Sequence, residues 1–101
     1  MMIQELQLIE QNLSNLGMQK QNFQSRLLEN DNAIKEISQN QKPPYKIIGN
    51  IMLEVNKDEL KKELSSEKEI FELRIKNIEK QENRLKEKAQ ELQKEILKEL
   101  K

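Results

Sequence analysis

Apolar residues recur at heptad spacing along two long stretches of the chain, and this spacing constrains the fold more than any other feature. In the first stretch, residues 2–38, a register with Leu6 at position a places apolar side chains at nearly every a and d position. The exceptions are Lys20 in the a row and Asn30 in the d row. A seam sustained over five heptads is typical of a helix in a coiled coil.

A second heptad stretch covers residues 57–100, and its d row is apolar throughout. Its a row is weaker because it includes Lys68 and Glu82. We interpret Glu82 and the neighbouring carboxylates as a solvated helix face rather than as an acid pair or a metal site. Asn56 precedes two acidic residues and has Glu59 three positions later, which predicts an N-cap and a firm start for this helix. The d row consists of Leu64, Phe71, Ile78, Leu85 and Leu92.

The segment between the two helices predicts a β-hairpin over residues 45–55. Pro43 and Pro44 end the first helix, since proline lacks an amide donor and restricts the residue before it. Two short β-prone runs then flank Gly49-Asn50, a two-residue loop of the kind that closes a hairpin. We therefore expect a mainly α fold, an antiparallel two-helix coiled coil joined by a single β-hairpin, as one domain over residues 1–101.

The predicted hairpin carries large apolar side chains on both faces. An isolated two-stranded hairpin is marginal in water and has two open edges. Both difficulties disappear if hairpins of several chains join into one sheet or barrel, so we predict a subunit-assembly site here. The alternative is that the hairpin folds back on its own helices. The predicted assembly residues are Tyr45, Ile47, Ile48, Ile51, Met52, Leu53 and Val55.

Several apolar residues at the two ends of the chain fall off the heptad seams, and an antiparallel pair would bring those ends together. Exposed apolar side chains of this kind indicate a contact surface. The alternative is that these residues belong to frayed ends or pack on a third neighbour. The off-seam residues are Met1, Ile3, Leu8, Leu97 and Leu100.

The composition excludes several classes of function. The chain has no cysteine and no histidine, which removes disulfides, thiol nucleophiles, the usual general base and the commonest zinc ligands. Its 18 basic and 18 acidic residues balance, so no net field favours nucleic acid or an anionic membrane. No apolar run is long enough to span a bilayer, and the acidic, amide-rich start does not resemble a signal peptide. We expect a cytoplasmic protein without cofactor, metal or catalytic residues.

The stretches YKIIGNIMLEVNKDELKKEL and ELRIKNIEKQENRLKEKAQELQKEI closely resemble the beta-class subunits of the prefoldin family, particularly the archaeal form. The resemblance covers residues 45–96, and over the first helix it is one of heptad type and length. A single hairpin agrees with the beta class, since alpha-class subunits carry two. The heptad pattern starts at the first residues, without the short polar extension of many members, so we expect a shortened tip.

The resemblance implies a function as well as a fold. Prefoldin is an ATP-independent holding chaperone in which two alpha-class and four beta-class chains join their hairpins into a double β-barrel body. Six coiled-coil arms extend from that body, and their tips hold unfolded proteins and pass them to a group II chaperonin in the cytosol. The alternative is a structural coiled-coil oligomerisation or scaffold module without chaperone activity. The implied client-binding tip comprises Met1, Met2, Ile3, Leu6, Leu8, Ile9, Ile96, Leu97 and Leu100.

Overall fold

Two long α-helices and a two-stranded hairpin make up the computed structural model, which describes residues 2–100. Helix α1 spans Met2–Gln39 and helix α2 spans Lys57–Leu100. Between them lie strands β1, Tyr45–Ile48, and β2, Ile51–Glu54. The expected fold class, a mainly α chain in the order helix, single hairpin, helix, is confirmed.

The sequence determines where α1 ends and where α2 begins. Helix α1 stops before the two prolines, and the Asn40 carbonyl that follows it accepts a hydrogen bond of 2.8 Å from Lys57 Nζ. This cation at the carboxyl end of α1 suits the negative end of the helix dipole. At the start of α2, Asn56 Oδ1 accepts hydrogen bonds from the amides of Asp58 and Glu59, at 2.9 and 3.1 Å. The predicted N-cap at Asn56 is confirmed.

The hairpin has the register that a two-residue turn dictates. Tyr45 pairs with Glu54, and Ile48 pairs with Ile51 next to the turn. Gly49 has a φ of 60°, and no non-glycine residue between 2 and 100 has a positive φ. Positive φ at the first turn residue alone is the pattern of a type II′ turn, which matches the right-handed twist of the strands and favours glycine at that position.

The chain divides into two compact units, which we describe separately. The terminal unit contains residues 2–23 and 74–100, and its buried apolar residues are Ile9, Ile78 and Leu92. All three lie at d positions of the predicted heptads, where the start of α1 packs against the end of α2.

The hairpin unit, Gln24–Leu73, contains the end of α1, the hairpin and the start of α2. Its apolar a and d residues are half-buried, as expected for a two-helix seam that is open to solvent along both sides. Asn30, at a d position, is the most enclosed polar side chain of this unit, with 5% exposure.

Candidate functional site

An open cleft lies at the free end of the terminal unit, where the first turn of α1 meets the last turns of α2. Its volume is about 380 Å³. Apolar side chains form most of its lining. The lining residues are Met2, Ile3, Ile96, Glu99 and Leu100.

Four large apolar side chains of the first turns of α1 and the last turns of α2 fall off the heptad seam and are open to solvent, and Ile3 and Leu100 among them line the cleft. Their exposed fractions range from 58% to 78%. Side chains of this size and exposure at one end of a molecule are the usual signature of a binding surface. These residues are Ile3, Leu8, Leu97 and Leu100.

The other predicted tip residues belong to the seam. Met2, Leu6 and Ile96 are half-buried, and Met2 and Ile96 also line the cleft. Ile9 is only 5% exposed, and its side chain supports the tip from within the closed helix pair. Met1 lies outside the described residues.

A polar layer crosses the seam of the terminal unit below the tip. Lys20 Nζ donates a hydrogen bond of 2.9 Å to Glu82 Oε1, and both residues occupy a positions. The interpretation of Glu82 as a solvated side chain was wrong, since its exposure is 8%. Its hydrogen bond and charge raise the pKa of Lys20 above the ordinary value of 10.5, so Lys20 carries its charge at neutral pH.

Arg74 and Phe23 link the two helices on the side of this seam. The guanidinium carbon lies 5.7 Å from the centroid of the Phe23 ring, within the range of a cation–π interaction. This contact covers a d-row aromatic ring that the two-helix seam alone leaves half-exposed.

The hairpin presents most of its apolar residues to solvent on both faces. Their exposed fractions range from 47% to 68%, whereas Val55 is half-buried and its amide donates to the Pro44 carbonyl at 3.0 Å. Within the hairpin unit these side chains therefore do not pack back on α1 or α2. The exposed residues are Tyr45, Ile47, Ile48, Ile51, Met52 and Leu53.

Two ion pairs and a side-chain amide connect the elements of the hairpin unit. Lys46 Nζ on β1 lies 2.8 Å from Glu63 Oε1 on α2, which raises the pKa of Lys46 and ties the hairpin to the helix. Lys68 Nζ lies 3.1 Å from Asp31 Oδ1, and this hydrogen bond likewise raises the pKa of Lys68. In the adjacent layer, Asn30 Nδ2 donates to Glu67 Oε2 at 3.4 Å, while the buried Asn30 Oδ1 has no partner.

Sequence reasoning did not single out Glu99, which lines the cleft. The heptad pattern could have identified it, because Glu99 continues the d row one heptad beyond Leu92 and therefore lies on the seam side of α2. Among residues 2–100, no cluster of three or more acidic side chains is placed to hold a metal ion. Neither helix, over the same residues, is apolar enough along its length to cross a membrane.

Comparison with known proteins finds similarity along nearly the whole chain. A family model described as "Prefoldin subunit" matches residues 1–101. The prefoldin subunit beta of Archaeoglobus fulgidus is 31% identical over 97 residues, which cover 94% of this chain and 84% of that protein. The protein of the same name from Sulfurisphaera tokodaii is 36% identical over 94 residues, covering 91% of this chain and 75% of that protein. The crystal structure of the prefoldin beta subunit from Thermococcus strain KS-1 superposes with a TM-score of 0.90 at 32% identity, covering 99% of this chain and 90% of that one.

Proposed function

The chain belongs to the prefoldin family, and we propose that it works in the cytoplasm as one subunit of a prefoldin complex that holds unfolded proteins without ATP. Holding non-native proteins is the function of this family, which is a family of chaperones rather than of enzymes. The observation that carries the proposal is the open apolar cleft at the end of the terminal unit, together with the exposed apolar side chains around it.

The tip binds unfolded clients through burial of apolar surface, at about 25 cal/mol per Å². An unfolded chain offers many different apolar side chains, and a surface of Met, Leu and Ile can adapt to them because Met and Leu change rotamer readily. The seam residues Met2, Leu6, Ile9 and Ile96 shape the base of this surface, and Met1 belongs to it by its place in the sequence. No nucleotide is needed for such a grip, since a competing acceptor can displace the client.

Replacing the four exposed tip residues with serine tests this assignment. We expect the variant Ile3→Ser, Leu8→Ser, Leu97→Ser, Leu100→Ser to lose suppression of aggregation, measured by light scattering, when a chemically unfolded model protein is diluted into buffer. The native mass and the helical circular dichroism signal should stay unchanged, because these side chains contribute little to the seam.

A matched control replaces four apolar side chains that are not among the predicted tip residues and have similar exposure, 52–67%. This control should hold clients as well as the unmodified chain. Full holding activity in the tip variant would contradict the assignment of the tip as the client-binding surface. Absence of holding activity in the unmodified chain would favour the structural scaffold alternative. The control positions are Met18, Leu28, Ile70 and Leu73.

The exposed hairpin is the site through which this chain joins alpha-class prefoldin subunits and other beta-class chains, as two alpha-class and four beta-class chains. Pairing of hairpin edges between chains would satisfy the free backbone groups and cover both apolar faces. The resulting complex would pass its clients to a group II chaperonin. Support for this proposal comes from the exposure of both hairpin faces and from the family to which the chain belongs.

Charge placed on the hairpin should disrupt this assembly. The variant Ile47→Lys, Met52→Lys should have the mass of a smaller species in native mass spectrometry, with nearly unchanged helicity. Both residues form one cross-strand pair, so two lysines would face each other in any shared sheet. A control that places two lysines at Leu28 and Ile70, exposed positions on the helices of the same unit, should assemble normally. An unchanged mass for the hairpin variant would contradict the assembly proposal.

A further inference from the structure

The apolar cleft at the tip has a negatively charged rim. Glu99 is the charged residue among its lining side chains, and it lies at a d position, on the seam side of α2. The neighbouring Lys98 occupies a c position and Lys94 an f position, so both lie on the outer side of the helix.

Two further carboxylates flank the same seam. Glu5 and Glu95 occupy g positions, and in an antiparallel pair the g positions of the two helices border the same side of the seam. The Lys20–Glu82 and Phe23–Arg74 contacts show which residues of the two antiparallel helices lie opposite each other. Moving back along α1 to Glu5, and the same number of residues forward along α2, places Glu5 opposite residues 92–97 of α2. On this heptad geometry Glu5 and Glu95 lie beside the lining residue Glu99, and we call these three carboxylates the acidic rim.

No basic side chain of the described chain neutralises this rim. Within residues 2–100, none of the three carboxylates forms an ion pair, whereas Glu82 in the same unit is paired with Lys20. In α1 the charged residues before Lys20 are Glu5 and Glu10, so the first five turns of that helix supply no cation at all. Carboxylates at g positions of both helices repel each other, and a cation supplied by a bound segment would relieve this repulsion.

We infer that the tip prefers client segments in which apolar residues alternate with lysine or arginine. This inference rests on the proposed holding function and names the class of client segment that the same cleft takes best. An apolar side chain would fill the cleft, while the adjacent basic residue would lay its methylene stem on the apolar lining and its charged head against the rim. Segments that alternate apolar residues with glutamate or aspartate would be disfavoured by like-charge repulsion.

Three fluorescently labelled peptides test the preference against the full chain. They carry the same leucines and differ only in the intervening residue, which is lysine, serine or glutamate. Fluorescence anisotropy at low salt should give Kd values that increase in the order lysine, serine, glutamate. Each step should be roughly two- to tenfold, since one exposed ion pair changes an equilibrium constant by up to about fivefold and more than one carboxylate contributes. Raising the salt concentration should compress the differences, because exposed charges are then screened.

Neutralising the rim identifies its role. In the variant Glu95→Gln, Glu99→Gln the three peptides should bind with Kd values that converge on that of the serine peptide. The matched control Glu87→Gln, Glu91→Gln makes the same change in net charge at f and c positions, on the outer face of the same helix, and should keep the order of the three peptides.

The outcomes separate this inference from the proposed function. Equal binding of all three peptides to the unmodified chain would overturn the preference while leaving the apolar grip in place. Loss of the preference in both variants would assign it to net charge rather than to the rim, which also overturns the inference. Absence of binding by every peptide would overturn the proposed function, and this inference with it.

Discussion

Asn30 is a buried polar residue whose replacement should stabilise the helix pair. Its side chain has 5% exposure at a d position, Oδ1 has no hydrogen-bond partner, and Nδ2 makes one long bond of 3.4 Å to Glu67. Leucine has the same number and branching of side-chain heavy atoms as asparagine. Asn30→Leu therefore replaces two polar atoms by methyl groups in nearly the same space, with little risk of overpacking.

The expected gain follows from three contributions. Full burial of a leucine side chain contributes about 1.5–3 kcal/mol, and removal of the unsatisfied Oδ1 contributes about 1–3 kcal/mol. Loss of the bond to Glu67 costs no more than ~1 kcal/mol, because that carboxylate is exposed and can be solvated instead. The unfolded chain is already partly compact, so the leucine side chain buries less additional area on folding and its contribution is smaller. We expect a net increase of about 1–3 kcal/mol in the free energy of unfolding.

Urea unfolding followed by circular dichroism at 222 nm measures this change, at matched protein concentration because assembly affects apparent stability. Asn32→Leu is the matched control, since Asn32 is exposed at an f position of the same helix and the same substitution there buries nothing. The midpoint should rise for the variant at residue 30 and stay within error for the control. The hairpin joins the two helices in one chain, so we expect their register to be kept without the buried amide.

An unchanged or lowered midpoint for Asn30→Leu would refute this reasoning. It would mean that Oδ1 is satisfied in solution, or that the hydrogen bond to Glu67 contributes more than its length indicates. A changed slope of the unfolding curve, rather than a changed midpoint, would point instead to an effect on the unfolded or assembled state.

Three further predictions concern the polar layer and the turn. Lys20→Met should lower the urea midpoint of unfolding because it leaves the Glu82 carboxylate buried without a partner. Adding Glu82→Leu should restore or exceed the original midpoint, and a double-mutant cycle in urea measures both effects. The hydrogen bond with Glu82 raises the pKa of Lys20 in the folded chain, so the stabilisation is fully present below pH 10.5 and is lost as the pH rises through the folded-state pKa. The urea midpoint of the unmodified chain should therefore fall as the pH is raised from about 9 to about 12. The midpoint of Lys20→Met should fall less over the same range. Gly49→Ala should destabilise the hairpin by about 1 kcal/mol in the same urea assay, since the site has a φ of 60° and open space around it; an unchanged midpoint would show that the turn conformation is not strained.

Features that depend on local spacing could be predicted from the sequence. The heptad rows place Ile9, Ile78 and Leu92 at d positions, and these are the buried apolar residues of the terminal unit. The turn at Gly49-Asn50 fixes the strand register, because each residue beyond a two-residue loop can pair in only one way. The resemblance of residues 45–96 to the prefoldin family is confirmed, and the similarity extends over the first helix.

Features that depend on which residues of the two helices lie opposite each other could not be predicted. Glu82 was interpreted as solvated because the sequence shows no cavity, histidine or converging loops around it, and only the facing Lys20 makes its burial tolerable. The bond between Lys46 and Glu63 likewise joins residues whose proximity depends on how the hairpin meets α2. The heptad period and the composition describe each helix separately. Predicting contacts between the helices also requires their axial register, that is, which residues of one helix lie opposite which residues of the other.

Under the proposed function, the size of a single tip cleft leads us to expect that holding requires several tips at once. A space of about 380 Å³ accommodates only a few apolar side chains, and an open groove on a two-helix end covers them incompletely. Burial of that order supports weak binding by one tip, whereas tips joined in one particle raise the effective concentration and increase overall affinity by about 10²- to 10⁴-fold. Tip and hairpin should therefore be coupled in function although they belong to different units.

The hairpin variant Ile47→Lys, Met52→Lys tests this coupling, since its tip is unchanged. At equal concentration of chains, it should suppress aggregation far less than the assembled protein, while its affinity for a short lysine–leucine peptide, which engages one tip, should stay the same. The control with lysines at Leu28 and Ile70 should retain both activities. If the dissociated variant suppressed aggregation as well as the assembled protein does, one tip would be sufficient to hold a client. Several weak contacts would then not be required for holding, even though the tip would remain the binding surface.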